Sequence, residues 1–429
     1  MKLIKFFGIT LLFSGILYFL MFEIFIEFTN YYLCTRIENF SFDTTSQSRT
    51  YTYTRSCDEE PYFAVLKNFN NLYTLEDFQY QNRPIFLVLA WFIFKIVGNL
   101  NLNDIFLFQF SFFLLQNIIL CLVVYLFNQC FNIKNNFLNF TISLIFISLS
   151  PIYKWTLFEA GHHTQTGLLI LLGVYFASQP KKLTNFFIPL LIGILYLSHR
   201  SFIVLFVYAI YLIISKKLFD QNKYKQLTMF IVKFLIPIIS YELFKNILNL
   251  GKDHNIEIYN QFFWVFDFLR GFDTYGVTGW YCQNIPQNFK CYLQDNLNVI
   301  KYLYIPFLFL ITYVIFNKTI TKYVKEYRSL FEIVTLVFLF WSLIGWYPPV
   351  RFSFYSLGHL IIFLSAILFY KLENSTAKSF YMCGYVLYFL FLNHYNGDIY
   401  FENNPYLFLS VFFYFLAFII NQNSLLKRK

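Results

Sequence analysis

Long apolar runs, separated by short polar breaks, recur from one end of this chain to the other. The first extends from Ile4 to Ile26. Further runs follow at 105–127, 137–157, 164–178, 185–198, 201–215, 227–249, 302–317, 330–346, 352–370, 379–394 and 405–421. Segments of this length and polarity predict membrane-crossing helices, the shorter ones tilted or paired within a bundle. Barrel strands would show as short alternating segments, and none is seen. The expected fold class is therefore an all-α polytopic membrane protein of about twelve transmembrane helices.

Composition agrees. Apolar residues make up 58% of the 429 and charged residues 13%, with a mean hydropathy of +0.52. That balance overrides the two or three soluble domains such a length would otherwise allow. Lys2 and Lys5 before an apolar core resemble a signal peptide. The run is long, however, and no small-residue cleavage site follows, so it reads as a retained first span.

The net charge of +10 does not point to nucleic acid, because the basic residues fall on alternate loops. Lys2, Lys5, Lys134, Lys181, Lys182, the 216–225 lysines, Lys318, Lys322, Lys325, Arg328, Lys371, Lys378 and 427–429 share one side, opposed only by Asp220, Glu326 and Glu373. The positive-inside rule makes that side cytoplasmic and places both termini there. The other loops hold most of the acids. This assignment requires that the apolar run 85–97 not cross. Its 13 residues reach about 20 Å as a helix, short of the roughly 30 Å hydrocarbon core. It reads as a helix lying in the outer interface.

Two outer loops are large. The first, 27–104, is Ser/Thr-rich from Ser41 to Thr54, then amphipathic from Tyr62 to Leu75. The second, 251–301, carries Phe262-Phe263-Trp264-Val265-Phe266, another candidate interfacial helix. The expected division is 1–250 as one transmembrane module with its outer loop, 251–301 as an outer loop, and 302–429 as C-terminal helices. Cys34, Cys57, Cys282 and Cys291 all fall outside; bridges 34–57 and 282–291 are open possibilities in an oxidising compartment, as are free thiols.

The candidate chemistry lies on the outer side. Asp58, Glu59 and Glu60 form an acidic cluster in a chain poor in charge, and carboxylates at an interface can act as general bases or ligate a divalent metal. Asp58-Glu59-x-x-Tyr62, then Tyr80-x-x-Arg83-Pro84 and an apolar helix ending at Gly98, resembles the first outer loop of GT-C membrane glycosyltransferases. The nearest patterns are those of the lipid A aminoarabinose transferases and protein O-mannosyltransferase-like enzymes. The resemblance covers about the first 200 residues. It implies a GT-C-like bundle with outer juxtamembrane helices and transfer of a sugar from a polyprenyl-phosphate donor to an acceptor lipid, glycan or protein. In that pattern Asp58 matches the catalytic base and Glu59 its motif neighbour. Arg83 stands where the family usually has Lys, near the lipid-linked phosphate. Glu159 resembles the family's second acidic site, which in some members binds a metal such as Mg, Mn or Zn.

His162 and His163 are adjacent, so on a helix they point about 100° apart and cannot chelate as a pair. With Glu159 they could form a metal or proton-transfer site. His199-Arg200 and Arg351 lie on outer hairpins, where a cation could clamp a departing phosphate or anchor to lipid headgroups. His359 and Glu332 sit inside spans, where ionisable groups are usually functional or paired. The reading this favours is an integral-membrane glycosyltransferase. A bacterial inner membrane is preferred to the endoplasmic reticulum, where Asn39-Phe40-Ser41 would be a glycosylation site. Two alternatives stay open: a multispan polysaccharide polymerase or ligase using the 251–301 loop, and a transporter or lipid flippase.

Overall fold

Each apolar run read from the sequence holds a helix. The computed structural model describes residues 2–20, 59–74, 83–100, 104–150, 152–153, 157, 164–216, 218, 223–247, 304–316, 324–343, 356–391 and 405–426. Among these residues all regular structure is helical: α1 (Lys2–Phe19), α2 (Glu59–Lys67), α3 (Asn71–Thr74), α4 (Pro84–Val97), α5 (Asp104–Cys130), α6 (Phe137–Ser148), α7 (Gln165–Ser178), α8 (Phe187–Ser198), α9 (Ile203–Ser215), α10 (Lys223–Ile247), α11 (Tyr304–Phe316), α12 (Arg328–Leu343), α13 (Gly358–Lys371), α14 (Ser375–Phe391) and α15 (Pro405–Leu426). Asn39, the loop 251–301 and the outer cysteines Cys34, Cys57, Cys282 and Cys291 lie outside the described residues.

Local chemistry sets the helix ends. Pro84 opens α4, where its missing N–H costs nothing and its fixed φ suits a first turn. Asn136 caps α6, its side chain accepting from the Asn139 amide at 2.8 Å. The α5–α6 turn needs a left-handed residue, supplied by Asn132 at φ 54°. The run 137–157 predicts one long helix, but α6 stops at Ser148. The Ser148 and Ser150 hydroxyls donate to the Leu144 and Ile147 carbonyls, and Pro151 disfavours helix at the residue before it. The stretch 62–75 likewise splits in two. Asn68 accepts from the Asn70 amide at 3.2 Å, and Asn71 donates back to the Ala64 carbonyl at 3.0 Å, which closes α2 and starts α3.

The chain forms two compact units. The first comprises Met1–Val123 and Lys154–Asn255. In it α4 packs on α2 and α8, α7 on α9, and α8 on α10. The α8–α10 contact is close because Gly193 faces the Phe234 carbonyl and the ring of Pro237, a proline inside α10. Phe206 stacks on Phe234 beside it.

The second unit comprises Val124–Tyr153 and Ile256–Lys429. Helices α14 and α15 run antiparallel: Phe380 meets Phe413 and Tyr381 meets Tyr414, and Ser410 donates to the Gly384 carbonyl at 2.7 Å. A hydroxyl network joins α5, α6 and α13. Ser143 donates to Asn128 at 2.7 Å, lies 3.0 Å from the Tyr370 hydroxyl, and Tyr370 donates to the Asn139 carbonyl at 2.8 Å. Around that end, Phe131 packs on Tyr327, Lys371 pairs with Glu326 at 2.7 Å, and the Glu373 amide meets Asn421 at 3.4 Å. The segments placed on the basic side by their lysines therefore meet at one end of this unit. Glu332 is ion-paired with Arg328 at 2.6 Å, one turn away. His359 is fully buried, 3.2 Å from the Tyr153 hydroxyl.

Among the described residues, two helices, Phe106–Cys130 and Tyr224–Ile247, are long and apolar enough to cross a membrane. Other apolar helices among the described residues have 10–17 residues. Many carry outward apolar stripes. On α10 the exposed positions Met229, Val232, Ile236, Ile239 and Leu243 recur at helical spacing, as do Val88, Leu89, Phe92 and Ile96 on α4.

Candidate functional site

Polar side chains in the first unit gather around one face of α5. The face begins with aromatic rings: Phe108 and Phe112 pack edge to face, Phe63 of α2 meets Phe108 at 5.3 Å, and Tyr62 meets Phe112 at 5.7 Å. These contacts bury Tyr62 to 3% exposure. The Lys67 ammonium closes the same contact, 2.9 Å from Asp104 at the start of α5. The ring of Tyr73 on α3 packs against Phe244 near the end of α10, and burial pushes its phenol pKa up.

Arg83 arrives from the other half of the predicted motif. It immediately precedes Pro84, and its backbone, at φ −132° and ψ 45°, is not helical. Its guanidinium donates to the Tyr62 hydroxyl at 3.4 Å, across 21 residues of sequence. The Tyr of the D-E-x-x-Y pattern and the Arg of the Y-x-x-R-P pattern are thus neighbours. Phe86, in the first turn of α4, packs on the same Phe112.

One turn farther along this face, at i+4 from Phe112, stands Gln116. It is fully buried and accepts from the Thr164 hydroxyl. Thr164 precedes Gln165, the first residue of α7, whose Oε1 accepts from Ser198 at 2.8 Å. Ser198 ends α8 and begins the Ser198-His199-Arg200-Ser201 hairpin. His199 is 2% exposed, and its Nδ1 accepts from the Ser201 amide at 3.3 Å while also meeting the Ser201 hydroxyl. With Nδ1 accepting, the ring proton sits on Nε2, and the Nδ1 side of the ring holds the turn. Arg200 follows at the start of a short 3-10 turn, half-buried.

Of the residues singled out in the sequence, Arg83 and Arg200 are therefore placed in the first unit. Arg83 lies against Tyr62, and Arg200 lies two residues from a member of the buried cluster. Glu59 is the first residue of α2, three before Tyr62. Asp58, Glu159, His162, His163 and Arg351 lie outside the described residues. Sequence reasoning missed Gln116, Gln165 and Ser198. The available signal was the pair Gln116-Asn117 in the middle of an otherwise apolar span, where polar residues seldom stand without a purpose.

The cluster can do two things chemically. A guanidinium beside a phenol offers a planar donor fork to an anion. Buried amides and hydroxyls offer directed hydrogen bonds to a neutral polar group in surroundings of low dielectric. Comparisons with protein-family models, with curated proteins and with solved structures find no match to this chain.

Proposed function

We propose that this protein is a multi-pass membrane glycosyltransferase of the GT-C type, using a polyprenyl-phosphate-linked sugar on the non-cytoplasmic side. The observation that carries the reading is the Arg83–Tyr62 contact at 3.4 Å. The Tyr of the first short pattern and the Arg of the second, 21 residues apart in the chain, lie against each other, as two parts of one site would. Membrane placement is supported by the outward apolar stripes on α4 and α10, which would be costly against water. Sidedness is supported by the gathering of the basic-loop segments at one end of the second unit.

In this reading the acceptor enters beside the acidic cluster Asp58-Glu59-Glu60, where α2 begins. Asp58 takes the acceptor proton as the acceptor oxygen or nitrogen attacks the anomeric carbon. The bond from that carbon to the phosphate oxygen breaks, and polyprenyl phosphate leaves with the electron pair. Arg83 meets the charge that develops on the phosphate, and Arg200 adds a second cation. Tyr62 holds the guanidinium in place through its hydroxyl.

The test uses membranes carrying the full chain and a tritiated polyprenyl-phosphate sugar. Label should pass from the acid-labile lipid fraction into an acid-stable product. Asp58→Asn should abolish that transfer while leaving the melting temperature of the purified protein unchanged. Full transfer by Asp58→Asn refutes the assignment of the base, and no transfer by the wild type refutes the function.

A further inference from the structure

Gln165 buries a polar atom that the protein does not satisfy. The residue is 4% exposed, its Oε1 lies 2.8 Å from Ser198 Oγ, and its Nε2 has no hydrogen-bond partner. The Ser198 hydroxyl is also 2.6 Å from the Leu195 carbonyl, and its single proton can serve only one of these two acceptors. If it serves Leu195, the amide turns over, Nε2 donates to Ser198, and Oε1 takes the place that faces away from Ser198. With Ser198 donating to Oε1, the Nε2 end of the amide is buried with no acceptor. Such a group is costly, and its persistence is best explained by a partner from outside the protein.

The partner's chemistry follows from the two orientations. A hydroxyl both donates and accepts, so it completes the amide whichever end is left over. A phosphate oxygen only accepts, and Arg83 and Arg200 are better suited to it. Both cations belong to the unit that holds this amide. Arg200 follows Ser198 by two residues, and Arg83 is held by Tyr62, whose ring lies on Phe112, one helical turn from Gln116. In a polyprenyl-phosphate sugar the sugar is bonded directly to the phosphate. A site for its hydroxyls therefore belongs next to a site for the anion.

We propose that Gln165 binds a hydroxyl of the donor sugar, with Ser198 as the positioning residue that orients the amide. The inference rests on the glycosyltransferase reading above. It gives the chain a sugar-recognising residue at the start of α7, separate from the cations that recognise the phosphate.

The experiment measures binding of two lipids, a polyprenyl-phosphate sugar and the same polyprenyl phosphate without sugar, to the full chain in nanodiscs. Wild type, Gln165→Met and Ser198→Ala are compared. Methionine matches glutamine in length without the amide, so the empty variant should melt at or above the wild-type temperature. Loss of one directed hydrogen bond should weaken the sugar-bearing lipid about tenfold in Gln165→Met and leave the sugar-free lipid within about twofold. Ser198→Ala should show the same selectivity, and it carries the test if Gln165→Met does not fold. Unchanged binding of both lipids in both variants overturns the inference, because the amide then holds only a trapped water. Equal weakening of both lipids overturns it too, since the residue would then only shape the bundle. Failure of the underlying reading looks different: the wild type would bind neither lipid, and the inference would fall with it.

Discussion

Gly193→Ala tests the packing of the first unit because the sign of its effect is decided by one contact. In an uncrowded helix the change would stabilise, since alanine is favoured over glycine by about 0.8–1 kcal/mol. Here an added Cβ would lie 2.6 Å from Pro237 Cγ and closer still to the Phe234 carbonyl oxygen. Ordinary carbon contacts are about 3.5–4.0 Å, so α8 and α10 would have to separate by roughly 1 Å. Neither neighbour is a flexible side-chain tip: one is backbone and the other a proline ring. Overpacking of this kind costs about 1–3 kcal/mol, and the rigid neighbours favour the upper end. Net of the helix gain, destabilisation of about 2 kcal/mol is expected, equivalent to roughly 4–8 °C in melting temperature for a unit of this size. Thermal unfolding of the purified protein in detergent, followed by tryptophan fluorescence, reads the result. A melting temperature that rises or stays fixed would show that α8 and α10 do not approach at Gly193.

Other substitutions bear on separate parts of the molecule. Tyr370→Phe removes a hydroxyl that contacts Ser143 and the Asn139 carbonyl, and should cost about 1–3 kcal/mol in denaturant unfolding. Gly384→Leu should destabilise by more than about 2 kcal/mol, because even a Cβ would sit 3.1 Å from the Ser410 carbonyl oxygen. Lys371→Ala breaks a pair whose side chains are 46% and 37% exposed, and should shift stability by under about 1 kcal/mol, less in high salt. Tyr62→Phe should leave stability within about 1.5 kcal/mol of wild type, since the hydrogen bond it removes to Arg83 is long, at 3.4 Å. It should slow sugar transfer several-fold at saturating donor, while full activity would show that the tyrosine does not position Arg83.

Much of the fold was legible because its signal is local. An apolar run bounded by Pro, Asn or Lys specifies a helix almost regardless of context, and each run from 105 to 421 holds one. Boundaries failed where side chains competed for backbone groups, as at Ser148–Ser150 and Asn68–Asn71. The candidate site was legible only in part. Arg83 and Tyr62 stood out because short patterns isolate them. Gln165 and Ser198 did not, since their pairing depends on how α7 and α8 pack, and no spacing rule links positions 33 residues apart. Gly193 and Pro237 gave no warning for the same reason. A glycine in one helix and a proline in another become meaningful only once the two are in contact.

The shortness of α6 and α8 has a consequence for whatever surrounds them. Each has 12 residues, about 18 Å of helix against the roughly 30 Å of a lipid interior. On the proposed placement the bilayer would thin wherever lipid touches either helix, drawing headgroups inward. Polyprenyl phosphate arriving there would find its charged end lowered toward the rest of the bundle, so the shape of the membrane itself would contribute to delivering the donor.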